Sequence, residues 1–232
     1  MNTDRIITGQ TLTRSDLTRS DPAQSHFAGP RAHLIDCDLA DADLSALDLT
    51  GWRFERCDLR RAHLANTLLE ATQWQSCRAG LAGFTGADLT DAVLTSCDFN
   101  NAPLRMARLA GARFTGCKLT GADLSDATAI DVRFTECLMI NAKMPGFSFK
   151  RQTLRKVDFG QADLRKADFR EAVLDGCSLR DANLAGARFD KADLRSADLG
   201  GLRLVDASLF RGAVISRDQA ALLIAELGLK LG

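Results

Sequence analysis

Large apolar residues recur every five positions along most of this chain. From Leu34 to Leu209, the 36 positions of this series hold 22 Leu, 9 Phe, 2 Met, 1 Trp and 2 Ala. Two residues before each of them lies a second series, here called the small slots, in which 20 Ala and 7 Cys fill 27 of 36 positions. A period of five matches neither a helix of 3.6 residues per turn nor the two-residue alternation of a strand. The pattern therefore indicates a chain that turns a corner every five residues, with the small and the large apolar residue of each segment on one side.

The cysteines indicate how many segments make one turn. All of them occupy small slots and are separated by multiples of twenty residues: Cys37, Cys57, Cys77, Cys97, Cys117, Cys137 and Cys177. Twenty residues are four segments, so four sides close one turn. Because Cys tolerates burial well, we expect a structural ladder of free thiols inside the solenoid. Val157 and Ala197 continue the same slot, which favours packing over a metal ladder, since stacked parallel side chains do not converge on an ion.

The residue before each large apolar residue is often Asp or Asn, as in Ala42-Asp43-Leu44 and Ala122-Asp123-Leu124. This A(D/N)LXX signature resembles the pentapeptide repeat family over residues 32–213. The resemblance implies an all-β fold, a right-handed quadrilateral β-helix. With 36 repeats and four repeats per turn, we expect about nine coils, and a rung spacing of about 4.8 Å would give a rod of roughly 43 Å.

Both ends of the chain depart from the repeat. Residues 1–31 are predicted to form an N-terminal cap or degenerate first coil, because Ile7, Leu12 and Leu17 keep the five-residue spacing in a shifted phase. Residues 214–232 are predicted to form a C-terminal capping or dimerisation helix and a tail. Ser216 and Gln219 have the spacing of a capping box, and the predicted helix runs to Leu227.

The predicted C-terminal helix is apolar on more than one side, which is typical of a helix with a second partner. Quinolone-resistance members of the family, which this chain resembles, use this end to form two-fold dimers, so the resemblance implies a homodimer here. The candidate interface residues are Phe210, expected to project outward, and Leu222, Leu223, Ile224 and Leu227. The alternative is a capping helix on a monomer.

The sequence contains little of the chemistry that enzymes use. There are 3 His and no Tyr, the repeat places no base beside a Ser or Cys nucleophile, and no phosphate-binding glycine motif is present. We therefore predict a protein that is not an enzyme, with no catalytic, cofactor-binding or metal site. The chain has no long apolar run or secretory signal, so a cytoplasmic location is expected.

The formal charge is zero, from 30 basic and 30 acidic residues. Counted along the whole repeat, no side is strongly acidic, and the side that carries Leu49 has 8 acidic and 7 basic residues. The stretch 36–48 nevertheless holds five acids and no base, which makes these residues candidates for a partner surface: Asp36, Asp38, Asp41, Asp43 and Asp48. Leu138 and Ile140 are further candidates, because they lie at outward positions of an irregular stretch, residues 127–157. The alternative for that stretch is local repacking, in which Phe147 compensates for the small Ala129.

The resemblance also implies a function. The best-known soluble pentapeptide proteins of this size resemble DNA in shape and bind DNA gyrase and topoisomerase IV, and some protect these enzymes from fluoroquinolones or other poisons. The first hypothesis is therefore a DNA-mimic-like protein of this kind, with no direct nucleic-acid or membrane binding. The second is a protein-interaction scaffold with a non-topoisomerase partner, for which a neutral charge is expected.

Overall fold

The computed structural model describes residues 5–18, 31–201 and 207–226. Two compact units divide the chain after Arg133, and they are described separately. Unit 1 comprises residues 1–133 and contains β1 (Arg5–Thr8), α1 (Arg14–Thr18), β2 (Ala32–Ile35), β3 (Arg53–Glu55), β4 (Gln73–Gln75), β5 (Val93–Thr95) and β6 (Arg113–Thr115). The strand β7 (Arg133–Thr135) begins at the boundary, and unit 2 continues with β8 (Thr153–Arg155), β9 (Val173–Asp175), a 3-10 helix (Ala207–Phe210) and α2 (Arg217–Glu226).

The repeats stack in parallel at a spacing of twenty residues. Phe54 of β3 pairs with Trp74 of β4, and Trp74 pairs with Leu94 of β5. The other three sides of each turn pair through single bridges at the same spacing, such as Asp58 with Arg78, His63 with Gly83 and Leu68 with Asp88. The predicted fold class, an all-β helix of four-sided turns with a short C-terminal helix, is confirmed.

The number of turns differs from the prediction. The solenoid has about seven turns, whereas about nine were expected. The prediction counted every five-residue repeat, including those after β9. There the described part of the chain forms isolated bridges, the 3-10 helix and α2 instead of further strands.

The large apolar residues and the small slots fill the interior. Phe54 and Trp74 stack with their ring centroids 4.2 Å apart in unit 1. In unit 2, Phe169, Phe189 and Phe210 form a stack with successive centroids 4.8 Å apart and interplanar angles of 2° and 3°. The expectation that Phe210 projects outward is therefore wrong, because its ring packs on Phe189 and is half-buried.

The corners are formed by one position of the repeat. From residue 36 to residue 191, every fifth residue has a positive φ, and 24 of these residues are not glycine. A left-handed conformation costs an ordinary residue roughly 1–2 kcal/mol, so the stacking of the turns, rather than glycine, imposes it. The Asp before each large apolar residue also shapes the corner. Asp58, Asp88 and Asp163 each accept a hydrogen bond from the backbone N–H two residues later, at 3.0–3.3 Å.

All seven cysteines are buried, and their thiols are free. Thiols donate across the turns: the Sγ atoms of Cys57, Cys77 and Cys117 lie 3.3–3.4 Å from backbone carbonyl oxygens 23 residues earlier. Thr67 makes the same kind of bond from a small slot on another side, with its hydroxyl 2.9 Å from the carbonyl oxygen of Leu44. The small slots thus accommodate thiol and hydroxyl groups that donate hydrogen bonds to carbonyl oxygens of the preceding turn.

The ends of the solenoid are covered by local structure. In unit 1, β1 pairs with β2 so that Ile7 lies beside Leu34, and the side chains of Leu12 and Leu17 are buried. In unit 2, the capping box predicted at Ser216 and Gln219 is present: each residue's backbone N–H donates to the other's side-chain oxygen, at 2.6 and 3.2 Å. The predicted last residue of this helix, Leu227, lies outside the described residues.

Candidate functional site: the acidic side of unit 1

The acidic residues predicted for a partner surface are mostly engaged within the protein. Asp36 accepts hydrogen bonds from the guanidinium of Arg56 one turn later, with a shortest distance of 2.7 Å. Asp41 is paired in the same way with Arg61, at 2.6 Å. These hydrogen bonds lower the pKa of both carboxyl groups below their ordinary value. The sequence interval 36–48 is acidic, but arginines from the next turn neutralise part of it.

The other three acids of this interval serve the corners. Asp38, Asp43 and Asp48 each accept a backbone hydrogen bond from the residue two positions later, at 3.0 Å. Asp43 also lies 3.5 Å from a guanidinium nitrogen of Arg14 in α1. A backbone-capping carboxylate is explained by the fold, so the five candidates do not form a free acidic patch.

The apolar candidates of the irregular stretch belong to unit 2. Leu138 is exposed, whereas Ile140 is half-buried. Phe147 occupies a small slot and is buried, with its ring centroid 5.1 Å from that of Phe149. Within unit 2, this packing agrees with local repacking as the alternative explanation of the irregular stretch.

A different group of acids forms a concentrated surface in unit 1. The Leu49 side is defined here by residues 47–51, 67–71, 87–91, 107–111 and 127–131. It holds five acids, Asp48, Glu70, Asp88, Asp91 and Asp131, and one base, Arg108. Successive single bridges join Asp48 to Leu68, Leu68 to Asp88, Asp88 to Arg108 and Arg108 to Thr128, so these segments stack one above another.

The acids of the Leu49 side are not equivalent. Asp88 is buried, accepts hydrogen bonds from Thr90 and lies 3.3 Å from Arg108. Glu70, Asp91 and Asp131 are exposed and make no ion pair with any residue that the structure describes. Their charges therefore face solvent without local neutralisation.

Exposed aliphatic side chains interrupt this acidic surface. Leu68 and Ile130 lie on the Leu49 side with 44% and 67% of their surface exposed, and Met106 at the adjoining corner is 57% exposed. Acids and aliphatic groups on one side match a partner with basic and apolar groups. The total charge of this side over the whole repeat gives no sign of this surface. Six of the seven bases at the same repeat positions lie after residue 149, and only Arg108 lies before it.

Two of the candidate dimer residues, Leu222 and Leu223, line a cleft in unit 2. The cleft has a volume of about 530 Å³, and its lining includes Leu199, Gln219, Leu222 and Leu223. Leu222 is 67% exposed and Leu223 is buried, while Ile224 is half-buried. Leu227 lies outside the described residues.

The reactive side chains are placed for packing. Burial raises the pKa of the Cys177 thiol to about 11 and raises that of Cys37, so both are protonated near neutral pH. Within the described ranges, no group of three or more His, Cys, Asp or Glu is arranged to hold a metal ion. The same residues include no helix with the length and hydrophobicity required to cross a bilayer.

Two family models match the sequence. The model of pentapeptide repeats matches residues 31–72, 162–201 and 172–209, and the model of a pentapeptide repeat region matches residues 87–158. A sequence comparison with proteins of curated function finds no match.

Solved structures show the same fold at low sequence identity. A trypsin-treated form of QnrB1, a plasmid-mediated fluoroquinolone resistance protein, has a TM-score of 0.75 and 22% identity over 87% of this chain and 100% of its own. HetL, a pentapeptide repeat protein involved in heterocyst differentiation regulation in the cyanobacterium Nostoc, has a TM-score of 0.64 and 24% identity over 90% of this chain and 84% of its own.

Proposed function

Because the chain belongs to the pentapeptide repeat family, we propose that it binds DNA gyrase or topoisomerase IV and protects the enzyme from fluoroquinolones or other poisons. The observation that carries this proposal is the Leu49 side of unit 1, where Glu70, Asp91 and Asp131 are exposed and unneutralised. A topoisomerase binds the polyanion DNA through basic surfaces, and exposed carboxylates on a parallel stack are complementary to such a surface.

The fold likeness to QnrB1 supports this proposal, since that protein is a fluoroquinolone resistance protein built on the same solenoid. Protection requires binding and no chemistry. The protein acts in the cytoplasm without a cofactor, and it occupies the surface that the poisoned enzyme–DNA complex needs. In this proposal the protein is a homodimer through its C-terminal end, with Leu222, Leu223, Ile224 and Leu227 at the interface.

A second candidate function is a scaffold for a partner other than a topoisomerase. The pairing of Asp36 with Arg56 and of Asp41 with Arg61 favours it, because a DNA mimic gains nothing from arginines that neutralise its carboxylates. The fold likeness to HetL, a protein involved in regulating differentiation, shows that the solenoid is not confined to resistance proteins.

The test is a DNA supercoiling assay with purified gyrase and a fluoroquinolone. We expect the protein to restore supercoiling and to reduce the number of cleaved complexes. The variant Glu70→Lys/Asp91→Lys should lose this protection, because it reverses two unpaired charges of the acidic side. The matched control is Asp175→Lys/Asp218→Lys, which changes the net charge equally at exposed acids of unit 2.

The two candidate functions predict different outcomes. Protection by the wild type and the control, but not by Glu70→Lys/Asp91→Lys, supports docking through the acidic side. Equal protection by all three proteins would assign gyrase binding to another surface. No protection by the wild type, with no effect on gyrase at high protein concentration, would contradict the topoisomerase proposal and favour the scaffold.

A further inference from the structure

Unit 2 has a basic side at the corresponding repeat positions. The Phe149 side is defined here by residues 147–151, 167–171, 187–191 and 208–212, because the last segment is shifted by one residue and Gly212 lies next to Lys191. It holds six bases, Lys150, Arg151, Arg170, Arg188, Lys191 and Arg211, and three acids, Asp168, Glu171 and Asp190. Three of the bases are paired with these acids: Arg151 with Glu171, Arg170 with Asp168 and Arg188 with Asp190, at 3.1, 2.5 and 3.3 Å.

The excess positive charge is carried by the remaining three bases. Lys150, Lys191 and Arg211 are exposed, and none makes an ion pair within the parts of the chain that the structure describes. Unit 2 thus has three exposed, unpaired cations, and unit 1 has three exposed, unpaired anions, namely Glu70, Asp91 and Asp131.

The spacing of the anions along unit 1 is set by the stacking of its turns. The N–H of Ala71, next to Glu70, donates to the carbonyl of Thr90, next to Asp91, at 2.8 Å, so these acids are one turn apart. Two further turns separate Asp91 from Asp131, because Asp91 bonds to Ala110 and Gly111 bonds to Ile130. With about 4.8 Å per turn, the anions lie at steps of one turn and then two turns.

The cations of unit 2 have the same steps in the reverse order. Lys150 and Lys191 are two turns apart, through the bonds from Arg151 to Arg170 and from Glu171 to Asp190. Arg211 follows after one turn, because the N–H of Lys191 donates to its carbonyl at 2.9 Å. An antiparallel arrangement therefore brings all three cations opposite all three anions, whereas a parallel arrangement matches only the two ends.

We propose that the Leu49 side of unit 1 docks on the Phe149 side of unit 2 in a second copy of this chain, with the two stacks antiparallel. The docking pairs Glu70 with Arg211, Asp91 with Lys191, and Asp131 with Lys150. A two-fold rotation that makes the two stacks antiparallel leaves each residue at the same distance across the side, so a corner residue of one copy faces a corner residue of the other. Asp91 and Lys191 then meet directly, since both are corner residues with φ of 55° and 59°.

This association is weak and sensitive to salt. The paired charges span four turns on each side, so the contact area is at the low end for protein interfaces. Exposed charges separated by water are screened within roughly 8 Å at physiological ionic strength. The contact is distinct from the proposed C-terminal dimer and uses no residue of α2.

Sedimentation equilibrium of the full chain at 25 and 300 mM salt tests the proposal. We expect a salt-dependent association whose dissociation constant rises at least about tenfold between these two conditions. Asp91→Lys and Lys191→Glu should each weaken it when measured alone, and an equimolar mixture of the two variants should restore it. Circular dichroism of each variant verifies that it is folded.

The register of the contact has its own control. A mixture of Asp91→Lys with Lys150→Glu should not restore association, because these residues are not opposite each other in the antiparallel arrangement. Equal sedimentation of the wild type at both salt concentrations would overturn the proposal. Restoration by the wrong pair as effectively as by the right pair would overturn the antiparallel register. No gyrase is present, so the result is independent of the proposed function.

Discussion

The carboxylate of Asp91 lies over Gly111, the corner residue of the next turn, in the space that a β-carbon would occupy. Both residues have a positive φ, of 55° and 68°. Three other pairs repeat this relationship: Asn66 with Gly86, Asn101 with Gly121 and Asp181 with Gly201. An alanine at these corners would therefore have to displace the side chain of the preceding turn.

Gly111→Ala should destabilise unit 1 more than Gly116→Ala. Both substitutions place alanine at a positive φ, but only the first β-carbon overlaps a neighbour, whereas the nearest atom to the second is 3.7 Å away. We expect an additional loss of about 1–3 kcal/mol, measured by urea unfolding monitored through the fluorescence of the two buried tryptophans of unit 1, Trp52 and Trp74. The double variant Asp91→Ala/Gly111→Ala should recover most of the difference, and equal losses for both glycines would contradict this account.

The stability of the protein should decrease between about pH 9 and pH 11. Burial raises the pKa of Cys177 to about 11 from an ordinary value of 9.0. In this interval the unfolded chain loses a proton that the folded protein retains, which favours unfolding. A shift of this size corresponds to roughly 2–3 kcal/mol for one group.

Urea unfolding followed by circular dichroism across this pH range measures the effect. Cys177→Ala should flatten the pH dependence of the unfolding free energy, because it removes the thiol that titrates. The slot should tolerate alanine, since Ala197 occupies the same kind of slot one turn later. A slope that is unchanged in the variant would assign the alkaline sensitivity to other groups.

Gln219→Ala should destabilise unit 2 more than Ser216→Ala does. Loss of the Ser216 cap removes a hydrogen bond to one backbone N–H, which costs about 1 kcal/mol. The buried Gln219 amide also donates to the carbonyls of Leu194 and Ala197, at 2.7 and 2.6 Å. Buried acceptors left without donors cost about 1–3 kcal/mol, and thermal unfolding followed by circular dichroism compares the two variants.

At 300 mM salt, where the charged contact between unit 1 and unit 2 is screened, Leu222→Glu should convert the proposed C-terminal homodimer into a monomer without changing the stability of the fold. The side chain is 67% exposed, so a charge there costs little in the monomer but would be desolvated in an interface. Size-exclusion chromatography with light scattering measures the mass. Val214→Glu, at another exposed aliphatic residue of unit 2, is the control. A wild type that is already monomeric would contradict the dimer.

Much of the candidate surface could not be predicted from the sequence. The interval 36–48 looked acidic because its arginine partners lie twenty residues later, and a hydrogen bond such as that from Arg56 to Asp36 depends on which turns stack. Phe210 looked exposed because the repeat appeared to end beside it, but the ring continues the stack of Phe169 and Phe189. The capping box at Ser216 was predictable, since its two partners are three residues apart.

The five-residue period is sufficient to specify the interior of this protein. The large apolar residue and the small slot of each segment are two residues apart, so both lie on the same side of a short extended segment. The twenty-residue spacing of the cysteines then indicates four such segments in each turn. Which charges remain unpaired depends on the stacking of the turns. Glu70 and Asp91 differ from Asp36 and Asp41 in the residue one turn later, which is Thr90 or Gly111 instead of an arginine. A contact across twenty residues follows from the packing of turns rather than from any local pattern.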